Sequence, residues 1–190
     1  VEDDDAIIFF NFRADRARQL TKAIILPGFS KFERTYKKGL EFVTMTEYEK
    51  DLPVAVAYPP QVVHNSLAEV ISKAGLKQIH IAETQKFAHV TFFLNGTIEE
   101  PFPGEDRKII PSKKIANYKD APEMSAREIT KEVIKAIESD QYDFIVVNFA
   151  NPDMVGHTGN LPATIEAVET VDRNLGKIIV KAKELGYTLL

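Results

Sequence analysis

The sequence contains no cysteine, no long apolar run and no basic block. Without cysteine the chain forms neither disulfides nor thiolate metal sites. No apolar stretch approaches the roughly 20 residues that a membrane span requires. Its 24 basic and 28 acidic residues give a net charge of -4, unlike the basic footprint of a nucleic-acid binder. These absences predict a soluble, cytoplasmic protein that binds neither membranes nor nucleic acid.

Three motifs of common enzyme classes are also missing. The sequence has no G-x-x-x-x-G-K-[ST] loop and no G-x-G-x-x-G turn, which argues against P-loop NTPases and dinucleotide-binding enzymes. A G-x-S-x-G nucleophile elbow is likewise absent. With 44% hydrophobic residues, the 190-residue chain can still form one globular domain or two small units.

Hydrophobic periodicity predicts an α/β fold of layered sheets with flanking helices. Strands are expected at residues 6–12, 40–46, 54–58, 78–82 and 143–149, and helices at 13–26, 63–74, 85–94, 125–139 and 162–185. We expect a capping box at Ser125 and Glu128, and irregular structure over residues 96–122. Pro59-Pro60 predicts a linker near residues 58–62.

Neither end of the sequence has the pattern of a complete protein. Residues 1–5 include no initiator methionine and no signal-peptide pattern. Residues 186–190 combine a helix-ending glycine with what we interpret as the start of an apolar strand. We therefore expect the chain to be an internal piece of a longer protein.

The sequence Asn148 to Gly159 follows a predicted buried strand, at the kind of position where α/β proteins bind ligands. It contains Asp153 and His157, which supply a hard oxygen and an imidazole nitrogen, and Gly156 is expected to let both face one divalent ion such as Zn²⁺ or Mn²⁺. Two ligands do not complete a metal site. The alternative is structural, with Asp153 in a turn and His157 capping a helix.

A second candidate site lies at Arg13 to Arg16, where a strand gives way to a helix. Two guanidinium groups beside free N–H groups at a helix N-terminus suit a phosphate or a carboxylate, and Asp15 is expected to orient one arginine. The alternative is that the arginines are solvated or paired with the acids of residues 2–5.

Lys86 follows another predicted strand and is a third candidate, because its ammonium group can contact a phosphate. The alternative is an ordinary surface lysine. His64, His80 and His89 have no acidic partner at metal-ligand spacing, so we expect structural roles for them.

Five segments, FFNFRADRARQLTKA, IAETQKFAHVTFFLNG, EEPFPGEDR, PEMSA and NFANPDMVGHTGN, occur in the order found in cofactor-independent phosphoglycerate mutases. The chain resembles this family throughout its length. The resemblance implies an alkaline-phosphatase-like domain with an inserted phosphotransferase domain. Residues 1–58 would then be the end of the insertion, 59–62 the hinge, and 63–190 part of the phosphatase domain.

The resemblance also implies roles for individual residues. Arg13, Ala14, Asp15 and Arg16 correspond to the loop that binds the substrate's phosphate and carboxylate, and Lys86 to a catalytic lysine at the transferring phosphoryl group. Asp153 and His157 correspond to two ligands of one Mn²⁺ in a dinuclear centre. The implied reaction interconverts 3-phosphoglycerate and 2-phosphoglycerate through a phosphoserine, in an enzyme that is monomeric when intact.

Several parts of the family's active site have no counterpart here. Ser66, Ser112 and Ser125 do not match the nucleophilic serine, so the 190-residue chain is expected to be inactive alone. Gln85 replaces a glutamate, and Lys113 a proline, of many relatives.

Two other functions remain open. One is another phosphomutase or phosphatase of the alkaline phosphatase superfamily, against which the segment NFRADRAR argues. The other is a non-catalytic α/β module whose arginines and lysine hold an anion.

Overall fold

Parallel strands organise the chain in the computed structural model, which describes residues 1–190. The strands are β1 (Ala6–Phe9), β2 (Glu41–Thr44), β3 (Ala55–Val56), β4 (Gln78–Glu83), β5 (Glu105–Ile110) and β6 (Phe144–Asn148). The helices are α1 (Ala14–Ile25), α2 (Leu67–Lys73), α3 (Phe87–Val90), α4 (Ala126–Glu138), α5 (Asn151–Gly156) and α6 (Leu161–Glu184). The predicted α/β fold of sheets with flanking helices is confirmed, and all strand pairs in both sheets are parallel.

The chain divides into two compact units, Val1–Gln61 and Val62–Leu190. The N-terminal unit contains a parallel sheet in the order β1-β2-β3 and the helix α1. Phe42 of β2 is buried, and Phe9 packs edge-on against both Phe42 and Tyr48. The Tyr48 hydroxyl donates to the carbonyl of Phe9, so an aromatic cluster fixes the end of β1.

The C-terminal unit contains a parallel sheet in the order β5-β4-β6. Ile81 of the central strand β4 is fully buried, because helices cover the sheet and strands flank it on both sides. Its apolar core consists of Ile81, Ile110, Ile129, Val133, Ala136, Ile137, Ile178 and Ala182. The core therefore joins β4 and β5 to α4 and α6. None of the helices is long and apolar enough to cross a membrane.

One strand lies where irregular structure was predicted. β5 falls inside residues 96–122, and its sequence EDRKII does not show a clear alternation. It is an edge strand, and edge strands tolerate charged residues because part of their surface faces water. The prediction of irregular structure was wrong there for that reason.

The predicted capping box at Ser125 was also wrong. α4 begins at Ala126, but the Ser125 side chain makes no capping hydrogen bond. Its hydroxyl donates instead to the carbonyl of Pro111, at 2.9 Å. A side-chain cap occurs at Ser66, which accepts from the N–H of Glu69, so α2 begins at Leu67 rather than at residue 63.

The remaining differences concern element lengths. The predicted helix at residues 85–94 is a short 3₁₀ helix, Thr84–Lys86, followed by one turn of α3. It ends at Thr91, whose φ of -121° and ψ of -92° are not helical. The expected strand after Gly186 does not form within residues 187–190.

Candidate active site

The carboxyl ends of β4, β5 and β6 form one edge of the C-terminal sheet, because the three strands are parallel. We call it the carboxyl edge. Thr84 to Lys86 follow β4, Ser112 lies two residues after β5, and α5 follows β6. Residues far apart in sequence therefore meet at this edge.

Lys86, Asp153 and His157 meet there, and we refer to them as the Lys86–Asp153 cluster. The Lys86 ammonium group pairs with Oδ2 of Asp153. Nε2 of His157 lies 3.4 Å from Oδ1 of the same carboxylate. The Asp153 side chain is 47% exposed and that of His157 is 69% exposed, so both remain accessible to an ion or a substrate.

A helix, and not the conformational freedom of a glycine, brings Asp153 and His157 together. Asp153 lies in α5, and His157 is the C-terminal capping residue with helical φ and ψ of -61° and -16°. Residues four apart in a helix lie on one face. The expectation that Gly156 lets both side chains face one ion was wrong about the cause, since Gly156 is part of α5 and has no positive φ.

Nearby positive charge keeps Asp153 ionised. Its pKa is lowered chiefly by the hydrogen bond from Lys86, with further contributions from the charges of Lys86, His157 and His89. An ionised carboxylate beside an imidazole suits a divalent ion of the Mn²⁺, Co²⁺ or Zn²⁺ type. No third histidine, cysteine, aspartate or glutamate joins them in a metal-binding group, so the two side chains alone do not complete a coordination shell.

Hydrogen bonds to the segment after β5 hold the turn that carries Lys86. The Thr84 hydroxyl contacts the carbonyl of Ile110 at 3.4 Å and accepts from the N–H of Ser112 at 3.2 Å. The N–H of Gln85 donates to the Ser112 hydroxyl at 3.3 Å. The two residues directly before Lys86 are thus both hydrogen-bonded to Ser112.

Three polar side chains at the carboxyl edge escaped the sequence interpretation. Glu83 and Asn151 have no solvent exposure, and each has one side-chain oxygen without a hydrogen-bond partner, as does the partly buried Asn148. Burial raises the pKa of Glu83. The sequence did offer one signal for these side chains, which is a polar residue at or next to the end of a predicted buried strand. Their unpaired oxygens are notable because buried oxygens usually have hydrogen-bond partners.

The arginine loop, Asn11 to Arg16, connects β1 to α1 in the N-terminal unit. Arg13 is the N-capping residue with an extended backbone, so it precedes the helix, and only Arg16 lies in the first helical turn. Arg13 and Arg16 therefore do not share a helical face. Nε of Arg13 pairs with Asp15 at 2.7 Å, and the Arg13 side chain is 78% exposed.

The N-terminus of α1 has no side-chain cap, so its first N–H groups are free for an anion. The acids of residues 2–5 do not neutralise the arginine loop in the structure. Glu2 pairs with Lys37 at 2.9 Å instead. Arg18 approaches Glu49 at 4.0 Å, so it differs from Arg13 and Arg16 in having an acidic neighbour beyond the loop.

A cavity of 710 Å³ lies beside α1 within the same unit. Leu20, Leu26, Phe29 and Phe32 line it together with Arg16. Its walls are mainly apolar, whereas the arginine loop presents charge. Lys22 and Lys31 also line the cavity, and Arg16 belongs both to its lining and to the arginine loop.

His80 differs from the sequence expectation because it has an acidic neighbour. Nδ1 of His80 lies 3.6 Å from Oε1 of Glu105, and both side chains are fully buried. Nε2 of His80 contacts Oε1 of Gln78 at 3.0 Å. These contacts lie within the unit's interior and fit the structural role that we expected.

The chain is similar to known enzymes along its whole length. The family described as the metalloenzyme superfamily matches residues 22–190. The 2,3-bisphosphoglycerate-independent phosphoglycerate mutase of Synechococcus sp. (strain JA-2-3B'a(2-13)) is 55% identical over 100% of the chain and 36% of its own length. That of Moorella thermoacetica is 57% identical over 100% of the chain and 37% of its own length.

A solved structure, Leishmania mexicana phosphoglycerate mutase at low cobalt concentration, matches with a TM-score of 0.71 and 36% identity. The match covers 97% of this chain and 34% of the solved one. The resemblance drawn from the five sequence segments is confirmed. The chain spans about a third of the length of these relatives.

Proposed function

Because this chain belongs to the metalloenzyme superfamily, we propose that it works as part of a cofactor-independent phosphoglycerate mutase. The enzyme interconverts 3-phosphoglycerate and 2-phosphoglycerate, an isomerisation of glycolysis and gluconeogenesis. The observation that carries the proposal is the meeting of Lys86 with Asp153 and His157 at the carboxyl edge, in a chain 55% identical to such mutases.

In the proposed reaction, a serine oxygen attacks the phosphorus of 3-phosphoglycerate, and the bond from phosphorus to the 3-oxygen breaks. The glycerate then reorients, its 2-oxygen attacks the phosphoserine, and the serine is released. Covalent catalysis of this kind divides the isomerisation into two phosphoryl transfers and requires no outside phosphate donor. We assign the serine to a part of the mutase beyond these 190 residues.

Asp153 and His157 fit one Mn²⁺ of a dinuclear centre through one carboxylate oxygen and one imidazole nitrogen. A bound divalent ion supplies electrostatic stabilisation to the charge of a transferring phosphoryl group. The lowered pKa of Asp153 supports this role, because a carboxylate must be deprotonated to bind a metal.

Lys86 is the proposed catalytic lysine. Its ammonium group carries three donors and a localised charge, which suit phosphoryl oxygens. Its side chain is only 15% exposed, and the hydrogen bonds of Thr84 and Gln85 hold the preceding turn. A charge fixed in this way needs little rearrangement when a phosphoryl group arrives.

Arg13 and Arg16 are the proposed ligands of the substrate's phosphate and carboxylate, with Ala14 and Asp15 completing the loop. Arginine suits these groups because its planar guanidinium donates two parallel hydrogen bonds to an oxyanion. The pairing of Arg13 with Asp15 supports the role that we expected for Asp15, which is to orient an arginine. The free N–H groups at the start of α1 add to the site.

We further propose that residues 1–58 end an inserted phosphotransferase domain, residues 59–62 form its hinge, and residues 63–190 belong to the phosphatase domain. The division of the chain into two compact units supports this assignment. We also propose that the intact enzyme is a monomer and works in the cytoplasm, where glycolysis takes place.

A chimera tests the proposed function. In it, residues 1–190 replace the aligned segment of the Synechococcus mutase, which aligns over the same number of residues. We expect Mn²⁺-dependent conversion of 3-phosphoglycerate, measured by an enolase-coupled assay, with the unaltered Synechococcus enzyme as control. Phosphate release without isomerisation would favour the alternative phosphatase, and anion binding without turnover would favour a non-catalytic module.

A further inference from the structure

We propose that Glu83 is a positioning residue for Lys86, because its buried side chain ties the end of β4 to the start of α4. The inference rests on the proposed function, since it concerns the catalytic role of Lys86. Glu83 lies three residues before Lys86 and was not among the residues that the sequence singled out.

Glu83 and Ser125 together connect three elements. Oε2 of Glu83 accepts a hydrogen bond from the N–H of Ser125 at 2.9 Å, across 42 residues of sequence. The Ser125 hydroxyl donates to the carbonyl of Pro111 at 2.9 Å, directly after β5. Glu83 therefore links the ends of β4 and β5 to the beginning of α4.

The path from Glu83 to Lys86 is short and held at each residue. Thr84 accepts from the N–H of Ser112, and the N–H of Gln85 donates to the Ser112 hydroxyl. Glu83, the first residue of this path, is bonded to the start of α4. Thr84 and Gln85 are both bonded to Ser112, in the segment after β5. The position of Lys86 relative to Asp153 depends on these anchors.

Two features near the hydrogen bond between Glu83 and Ser125 are energetically unfavourable. A carboxylate without solvent exposure loses its hydration, and Oε1 of Glu83 has no partner that compensates. Met124, directly before Ser125, has a φ of 42°, which is rare for a bulky side chain. Strained and incompletely bonded groups of this kind cluster at functional sites.

Lysine labelling in the 190-residue chain tests the inference without any enzyme assay. Glu83→Met keeps most of the volume but removes the acceptor, whereas Glu83→Gln retains an oxygen that can accept from Ser125. We expect the amine-reactive labelling rate of Lys86, followed by mass spectrometry, to rise about tenfold in Glu83→Met, because an unpaired buried N–H loosens the contact. Glu83→Gln should label like the unaltered chain.

Lys135 is the control, because it lies in the last turn of α4 and is 69% exposed. Its labelling rate should not change in either variant. An unchanged rate at Lys86 in a folded Glu83→Met chain would overturn the proposal. A rise at Lys86 and Lys135 together would overturn it as well, since Glu83 would then only stabilise the fold.

Kinetics in the chimera give the second readout. We expect Glu83→Met to lower kcat about 100-fold, as small misplacements of catalytic groups do, while KM stays unchanged and Glu83→Gln restores turnover. Failure of Glu83→Gln to restore kcat would contradict the acceptor role. An inactive unmutated chimera would instead reject the proposed mutase function, and the labelling result would stand separately.

Discussion

The arginine loop and the Lys86–Asp153 cluster both follow a parallel strand, but they are supported in different ways. Lys86 is mostly buried, and the turn before it is tied to Glu83, Ser112 and α4. Arg13 is largely exposed and makes a single ion pair with Asp15. The C-terminal unit therefore holds the charge of Lys86 within a hydrogen-bonded turn, whereas the N-terminal unit presents an exposed guanidinium group.

Removing the fixed charge should have the largest effect. We expect Lys86→Met in the chimera to lower kcat about 10²- to 10³-fold, the usual result of removing one preorganised donor. Lys86→Arg should not restore the rate, because a planar guanidinium does not reproduce a compact ammonium group. Stopped-flow or coupled assays measure the change.

Lys135→Met is the matched control for Lys86→Met. Lys135 pairs with Glu132 on α4, at 2.7 Å, and lies outside the proposed machinery. Its replacement should leave kcat unchanged. Equal losses in the two variants would mean that Lys86 has no special role.

Removing one exposed arginine should have a smaller effect than removing Lys86, and it should weaken substrate binding rather than lower kcat. We expect Arg13→Ala or Arg16→Ala to raise the KM for 3-phosphoglycerate about 10- to 100-fold, since hydrogen bonds to charged groups contribute roughly 1.5–3 kcal/mol. Metal content should stay constant. Saturation kinetics and metal analysis measure the two quantities.

Arg18→Ala provides the comparison within α1. Arg18 lies near Glu49 and outside the arginine loop, so its loss should change KM by no more than roughly twofold. If Arg13→Ala left KM unchanged, the contrast between the two regions would fail, because the loop would then not bind the substrate.

The smallest expected effect concerns the pH dependence of folding in the C-terminal unit. Burial lowers the pKa of His80 below its ordinary value of 6.5, despite the opposing charge of Glu105, and Arg107 adds to the lowering. The unfolded chain then binds this proton more readily than the folded chain. Stability should therefore be complete above pH 6.5 and decrease as the pH falls through 6.5 towards the folded-state pKa.

Urea unfolding at several pH values measures this loss of stability. Segment-resolved hydrogen exchange should place it around β4 and β5, because His80 and Glu105 lie on those strands. A pH dependence that stayed the same in His80→Gln would show that His80 does not titrate on unfolding.

The sequence predicted elements and motifs better than contacts. Strand-to-helix transitions were enough to place Lys86 and Asp153 at strand ends, and parallel pairing then brought them together. Their direct ion pair was not predicted, because it depends on β4 and β6 being neighbours in the sheet. Helical periodicity in α5, rather than the expected freedom of Gly156, aligned Asp153 with His157.

Local patterns failed where distant parts of the chain competed for the same groups. Ser125 has the sequence of a helix cap, but its hydroxyl and its N–H bind Pro111 and Glu83 instead. Glu83 lies in one of the five family segments, but no local pattern predicts its hydrogen bond to the N–H of Ser125, 42 residues away. β5 was missed because charged residues on an edge strand obscure the alternation.

Metal content tests the central claim most directly, namely that Asp153 and His157 bind a metal ion. We expect the chimera, after chelation and repletion with Mn²⁺, to lose one bound ion in Asp153→Asn and in His157→Gln, as measured by plasma mass spectrometry. The affinity loss should exceed the roughly 10- to 100-fold effect of removing a residue that only supports a ligand. Unchanged metal content with unchanged turnover in both folded variants would contradict the account.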